Sequence, residues 1–330
     1  MSEIISEPMS DVDLRAPVAF VIFNRPAHTK RVFDAIAAVR PKTLFIIADG
    51  PRPSHSTDDE KCRQARAVIE NVTWPCDVKT DFADTNMGCR ARTISGTDWV
   101  FSQVNEAIFL EDDTVPHPGF FRFCQDLLRH YRDEPRVAAI TGLCLSPSWS
   151  SKYSYGFSIL PCTWGRAFWR RSWEAFDPAM TLWPEVRDNA LLSHVFPDPA
   201  QAAYWQKIMT SAYLRKFDSW GYPFMFSCWL QGGLTAVPGR NLVRNIGFGP
   251  ESTHTKVSGG YGKLALQDIS FPLRHPPMIA RDHAYDDYAH RQFIDDRSLS
   301  ARLRNKIRRV VEEHRFHRRE RALLDGQSPS

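Results

Sequence analysis

Ala107-Ile108-Phe109-Leu110-Glu111-Asp112-Asp113 is the stretch that decides how this chain reads. An apolar run this short is too brief for a helix and fits a strand covered on both faces, the kind a parallel sheet between helices needs. The chain then turns abruptly acidic. Runs of the same form stand at residues 18–23, 44–48 and 137–140, and residues 77–82 alternate as a further candidate strand. Between them, 27–39 places Val32, Ile36 and Val39 at helical spacing. Thr57 with Glu60 spells a capping box opening a helix to about residue 68, and 90–101 and 118–131 also read as helices. Strand and helix alternate, which predicts an α/β chain with a mostly parallel, doubly wound sheet.

Polar residues follow the runs at once: Asn24-Arg25 after the first, Asp49-Gly50 after the second, Glu111-Asp112-Asp113 after the third. In open α/β sheets ligands sit beyond the carboxyl ends of the strands, so these clusters are expected to converge on one edge. No G-x-G-x-x-G and no G-x-x-x-x-G-K-[ST] is present, which argues against a dinucleotide fold and a P-loop NTPase. Adjacent carboxylates offer hard oxygen ligands for Mg²⁺ or Mn²⁺, which commonly rest on one or two carboxylates plus substrate phosphates. A solvated acidic turn ahead of Pro118 is the plainer alternative.

The chain has 330 residues, 43% of them hydrophobic and 24% charged, enough for a core and more than a lone binding module needs. Its seven cysteines are scattered without a C-x-x-C, which predicts reduced thiols and no zinc site. Residues 1–16 carry Glu3, Glu7, Asp11 and Asp13 and no apolar run, so a flexible start without a leader is expected, and a cytoplasmic location with it. Residues 297–330 hold ten Lys/Arg against four Asp/Glu, while the rest of the chain is slightly acidic; nucleic acid is therefore not an expected partner. Within that tail, 297–320 reads as a basic amphipathic helix with Leu303, Ile307, Val310 and Val311 on one side. It would either lie peripherally on an anionic membrane or pack against protein.

Residues 142–200 are rich in Ser, Trp and Pro and weakly periodic, suiting an irregular pocket wall. Helices are expected over 199–217 and 219–230, a short strand over 234–237 and a Gly-containing loop over 247–262.

Phe109-Leu110-Glu111-Asp112-Asp113-Thr114-Val115-Pro116-His117-Pro118-Gly119-Phe120-Phe121 resembles the acidic metal motif and following segment of glycosyltransferases with the nucleotide-sugar (type A) fold. The similarity is greatest to the N-acetylglucosaminyltransferase I group and its bacterial relatives. Val21-Ile22-Phe23-Asn24-Arg25-Pro26 is similar to the family's first-strand nucleotide motif, and Ile46-Ile47-Ala48-Asp49 to its second strand. Thr163-Trp164-Gly165 resembles the segment beside the sugar, and Phe217-Asp218-Ser219-Trp220 the segment carrying the catalytic base. The resemblance spans about residues 17–256. It implies a single mostly parallel doubly wound sheet of the type A kind over 17–285, with a nucleotide-binding half (17–141), an acceptor half (142–285) and an appended C-terminal helix.

The implied activity is metal-dependent transfer of a sugar from a nucleoside-diphosphate donor, UDP-linked by preference, to a hydroxyl of a glycan or lipid-linked acceptor, with inversion. The resemblance makes Asp113 the direct ligand of Mn²⁺ or Mg²⁺, and sets Asp112 and Glu111 near ribose and sugar. It puts Asn24 among the residues that bind the donor, Arg25 by the phosphates, Asp49 by the base, and Asp218 as the general base that deprotonates the acceptor. Asn24 stands where the family form carries an acid, and Ser219 where it carries a second acid after the base. His254 is a candidate second metal ligand or an ordinary loop residue. Arg90 could face the diphosphate or solvent, Trp164 and Trp220 could stack on sugar or acceptor or belong to the core, and Asp218 could simply open the next helix. The competing classes are a sugar-nucleotide pyrophosphorylase, which would want a Gly-rich loop where Phe23-Asn24-Arg25-Pro26-Ala27 has no glycine, and a non-catalytic sugar-nucleotide-binding protein.

Overall fold

The computed structural model describes residues 13–146, 152–161, 163–247 and 264–291. Its first half follows the sequence pattern closely: β1 (Val18–Ile22), α1 (Pro26–Val39), β2 (Thr43–Ala48), α2 (Asp58–Arg66), β3 (Asp77–Phe82), α3 (Cys89–Phe101), β4 (Glu106–Glu111), β5 (Thr114–Pro116), α4 (Pro118–His130) and β6 (Val137–Thr141). The second half adds β7 (Tyr155–Ser158), β8 (Arg166–Trp169), α5 (Arg170–Glu174), α6 (Trp183–Asp188), α7 (Leu192–Val195), α8 (Pro199–Tyr213), α9 (Gly221–Leu230), β9 (Leu234–Pro238), β10 (Val243–Asn245) and α10 (His283–Ala289). None of the described helices is long and apolar enough to cross a membrane.

One 8-stranded sheet runs in the order β3-β2-β1-β4-β8-β6-β9-β7. β3, β2, β1 and β4 are parallel neighbours, β6 and β9 are parallel to each other, and β8 and β7 run against the rest, so the sheet is mostly parallel. Alternate residues of each central strand serve opposite faces. Phe20, Ile22, Leu44, Ile46, Ile108 and Leu110 pack with Val32, Phe33 and Ile36 of α1 and with Phe120, Phe123 and Leu127 of α4. Ala19, Phe45, Ile47, Ala107 and Phe109 pack on the other face with Val100 and Phe101 of α3, Trp173 of α5 and Phe224 of α9. Burial on both faces is why these strands read as unbroken apolar runs. Each buried Phe, Leu or Ile adds about 1.5–3 kcal/mol against unfolding.

Helix starts follow side-chain chemistry in some places and not in others. His117 Nδ1 accepts from Gly119 N (3.1 Å) ahead of Pro118, and an Asp198 carboxylate oxygen accepts from Ala200 N (2.8 Å) ahead of Pro199. The capping box expected at Thr57 does not form. Thr57 makes no side-chain cap bond, its backbone being helical (φ −96, ψ −6) rather than extended, and the reciprocal half is lost because Glu60 is engaged by Arg63 and Gln64 further along the same helix. The largest departure from expectation is in 142–200, which is not merely irregular wall. It supplies β8, inserted antiparallel between β4 and β6, and the edge strand β7. Each has four residues, too few for alternation to stand out.

α3 lies close against β2 because Gly96 faces it: a Cβ there would meet Ile47 Cγ2 at 2.4 Å. Exchanging glycine for alanine inside a helix normally stabilises by about 1 kcal/mol, whereas overpacking a tight core costs about 1–3 kcal/mol. Gly96→Ala is therefore expected to lower stability by up to about 2 kcal/mol in urea denaturation. A gain in stability would show that Ile47 can give way.

Candidate functional site

Because β2, β1 and β4 are adjacent and parallel, the residues that follow them leave the sheet at one edge, with those after β1 in the middle. Arg25 bridges the acids next to it: Nη2 bonds Asp112 Oδ1, and Nη1 lies 3.0 Å from Asp113 Oδ2. Phe23 N donates to the second oxygen of Asp112 (3.2 Å). Asp112 is buried, and burial together with the Asp113 charge pushes its carboxyl upward while Arg25 opposes that. Burial works against the charge on Arg25, but Asp112 and Asp113 outweigh it and its pKa lies above the ordinary value. Arg25 thus joins both acids expected near the metal and ribose.

Asp113 is held from the other side by a small antiparallel ribbon of β5 and β10, in which Asn245 pairs with Thr114. Ile246 N donates to the Asp113 carbonyl (2.8 Å), and Asn245 Nδ2 approaches Asp113 Oδ1 at 3.5 Å. Gly247 covers the carboxylate so closely that a Cβ would stand 2.2 Å from Asp113 Oδ2. Among the described residues no group of three or more His, Cys, Asp or Glu side chains is arranged to hold a metal. The donor chemistry at Asp113 still fits a hard divalent cation that takes its remaining ligands from phosphate and water. His254 and the 297–320 segment lie outside the described residues.

Glu111 faces a different partner. Arg166, the first residue of β8 and almost fully buried, places Nη1 2.9 Å from Glu111 Oε1 and 2.7 Å from the Thr163 carbonyl. Its guanidinium carbon lies 4.2 Å from the Trp220 ring centroid and 5.4 Å from that of Phe109. Burial raises Glu111 and lowers Arg166, each opposed by the charge of the other. Arg166 Nε and Nη2 find no acceptor among the described residues. Trp220, a stacking candidate, is 4% exposed and packs with Trp173 and Phe224, so here it belongs to the core and supports Arg166. Trp164 and Gly165 lie immediately before β8, where Gly165 O accepts from Gly142 N (2.8 Å).

Asn24 Nδ2 donates to Asp58 Oδ1 (2.8 Å), and Arg52 donates to the same buried carboxylate through N (3.2 Å), Nε (2.6 Å) and Nη2 (3.0 Å). The Arg52 bonds hold Asp58 down at about 2. Asp49 is 6% exposed, and both of its oxygens are engaged. Oδ1 accepts from Gly50 N (2.8 Å) and Met87 N (2.8 Å), and Oδ2 from Asn86 Nδ2 (2.9 Å) and Gly88 N (3.1 Å).

Asp218 does not cap the helix that follows it, for α9 is preceded by Trp220 with no side-chain cap. It caps a different one. Gly88 at φ +85 opens α3 and has no side chain to offer, and the exposed Asp218 carboxylate accepts from Arg90 N (3.2 Å) instead. Arg90 does not point outward: its guanidinium donates to Ser219 O (3.3 Å) and to Pro178 O, tying the same corner together. Burial first, then the nearby carboxylates of Glu111 and Asp218, push the Cys89 thiol up to about 12.

Sequence reasoning missed Arg166, Asp58, Asn245 and Gly247. Arg166 had one signal, a lone charge heading the apolar Ala167-Phe168-Trp169; Asp58 is held by Arg52 six residues before it and by the more distant Asn24, while Asn245 and Gly247 reach Asp113 only through the pairing of β5 with β10.

No protein-family model and no curated protein matches the chain. Among solved structures it is similar to a mannosyltransferase from Pyrobaculum calidifontis in complex with GDP-Man and Mn²⁺, at 12% identity and TM-score 0.33, over 48% of this chain and 46% of that one, less than half of the mannosyltransferase's length. It is also similar to a UDP-glucose pyrophosphorylase complexed with UDP-glucose, at 10% identity and TM-score 0.28, over 48% of this chain and 78% of that one. A third similarity is to mouse xyloside xylosyltransferase 1 in its apo form, at 12% identity and TM-score 0.32, over 67% of this chain and 84% of that one.

Asp58 makes the site's acid sensitivity testable. A folded-state pKa of about 2, below the unfolded value, means that its contribution is complete above about pH 4 and is lost as pH falls toward 2. With Arg52 partly exposed, Asp58→Asn should cost about 1–2 kcal/mol at pH 7 and almost nothing near pH 2. Urea denaturation at both pH values measures it, and an equal gap at each would contradict the ion pair.

Proposed function

We propose that the protein transfers a sugar from a nucleoside-diphosphate donor, UDP-linked by preference, to an acceptor hydroxyl, with inversion at the anomeric carbon. The observation that carries this is the meeting of Arg25, Asp112 and Asp113 at the sheet edge, with a further, exposed carboxylate, Asp218, held at the start of α3, the helix that follows β3 of the same sheet. A displacement at the anomeric carbon wants this division of charge. One group of residues receives the departing diphosphate, and a separate base receives a proton.

In this reading Asp113 holds a divalent cation, Mn²⁺ or Mg²⁺, which when bound offsets the negative charge of the diphosphate. Arg25 supplies a second positive charge at the same edge. Asp218 takes the acceptor hydroxyl proton on a carboxylate oxygen as that hydroxyl forms its bond to the anomeric carbon. The bond from that carbon to the phosphate oxygen breaks, and the nucleoside diphosphate leaves with the electron pair. Glu111, fixed by Arg166, would lie beside the sugar. The motifs quoted from residues 21–26, 46–49, 109–121 and 217–220 support the type A assignment and the kinship with the N-acetylglucosaminyltransferase I group.

Two substitutions test the division of labour. Asp113→Asn is expected to weaken metal-dependent UDP binding by at least about 10-fold in calorimetry with Mn²⁺, while the melting temperature stays near that of the parent. Unchanged affinity would remove Asp113 from the metal site. Asp218→Asn should lower kcat for transfer by roughly 10² to 10⁴ and leave UDP affinity intact. Asparagine caps a helix about as well as aspartate, so a purely structural Asp218 predicts full activity in that variant.

A further inference from the structure

The carboxylate of Asp49 is saturated. A carboxylate offers about four acceptor positions, and the bonds from Gly50 N, Met87 N, Asn86 Nδ2 and Gly88 N use them. With 6% exposure it has neither the open lone pairs nor the surface to meet a nucleotide base, the role that the sequence resemblance implies for it. What it does hold is the turn between β3 and α3. Met87 and Gly88 end that turn, and Gly88 is the residue from which α3 begins. Arg66 reinforces the same junction, donating through Nη2 to Asp49 O (3.0 Å) and Ala83 O (2.6 Å).

On the far side of that glycine stands Asp218. A Cβ on Gly88 would lie 2.9 Å from Asp218 Oδ2, and Arg90 N, two residues on, donates to Asp218 Oδ1 at 3.2 Å. One short path of hydrogen bonds and close contact therefore runs from the end of β2 to the proposed base: Asp49, then Gly88, then the first turn of α3, then Asp218. We propose that Asp49 is a positioning residue for Asp218, setting the platform on which the base stands, and that it makes no contact with the nucleotide.

The catalytic consequence rests on the transferase reading; the mechanical part does not. Residue-resolved hydrogen exchange on the full chain tests the mechanical part. In Asp49→Asn, an amide group faces two of the turn's donors, so Met87 and Gly88 are expected to exchange at least about 10-fold faster, and the Arg90 amide with them. Faster exchange at Met87 and Gly88 with Arg90 unchanged would overturn the proposal. Asn86→Ala is a milder variant that removes one donor to Asp49, and it should move the same amides in the same direction.

Kinetics test the consequence. Asp49→Asn should lower kcat for transfer at least about 10-fold while the UDP dissociation constant and the donor KM stay within about 3-fold, a split that general loosening of the fold would not produce. A UDP constant raised about 10-fold with kcat unchanged would put Asp49 on the nucleotide and overturn the assignment. A parent protein that bound no nucleoside diphosphate would remove the transferase reading and leave the exchange experiment to decide this one.

Discussion

The guanidinium of Arg25, lying across Asp112 and Asp113, is the interaction on which the rest of the site depends. Two neighbouring carboxylates, one of them buried, repel each other and lose hydration, so they remain charged together only beside a cation. Arg25 provides it from the adjacent strand end, which ties the exit of β1 to the exit of β4. Phe23 N adds a bond to the same acid, so backbone and side chain act together. The fold's contribution is the strand order: with β1 between β2 and β4, no long loop is needed to bring these residues into contact.

Around that pair the molecule spends its polar groups on fixing turns. Asp58 gathers Asn24 and Arg52, Asp49 gathers the turn before α3, and Asp218 supplies the cap that Gly88 cannot. Three acids that could pass for catalytic candidates thus have clear local duties, and Asp218 alone among them is exposed. An exposed, singly engaged carboxylate retains the lone pairs that proton transfer requires, whereas Asp49 and Asp58 have theirs occupied.

The sheet was largely legible because period and burial coincide in its first half: runs covered on both faces leave no polar residue to interrupt them. β8 was not legible, since Arg166 heads it and Trp169 ends it within four residues, and its placement between β4 and β6 is a pairing decision made far along the chain. The site divided in the same way. Arg25 and the acids after β4 stand immediately after strands, so topology alone brings them together. The roles of Asp49 and Asp218 were hidden because each caps or braces a segment remote from it, and local patterns record only what a residue does for its own neighbours. The expected capping box at Thr57 failed because both members are committed otherwise: the Thr57 backbone is already helical, and Glu60 pairs with Arg63.

The claim that the edge between β1 and β4 receives a nucleoside diphosphate is tested most directly by the melting temperature of the unaltered chain. The measurement uses UDP and other nucleoside diphosphates, each with and without Mn²⁺. A ligand at 100 times its dissociation constant stabilises by about 2.7 kcal/mol, equivalent to several degrees for a domain of this size. The account predicts such a rise with a nucleoside diphosphate and Mn²⁺ together, and little with either alone. No rise with any nucleoside diphosphate at millimolar concentration, metal present, would contradict it.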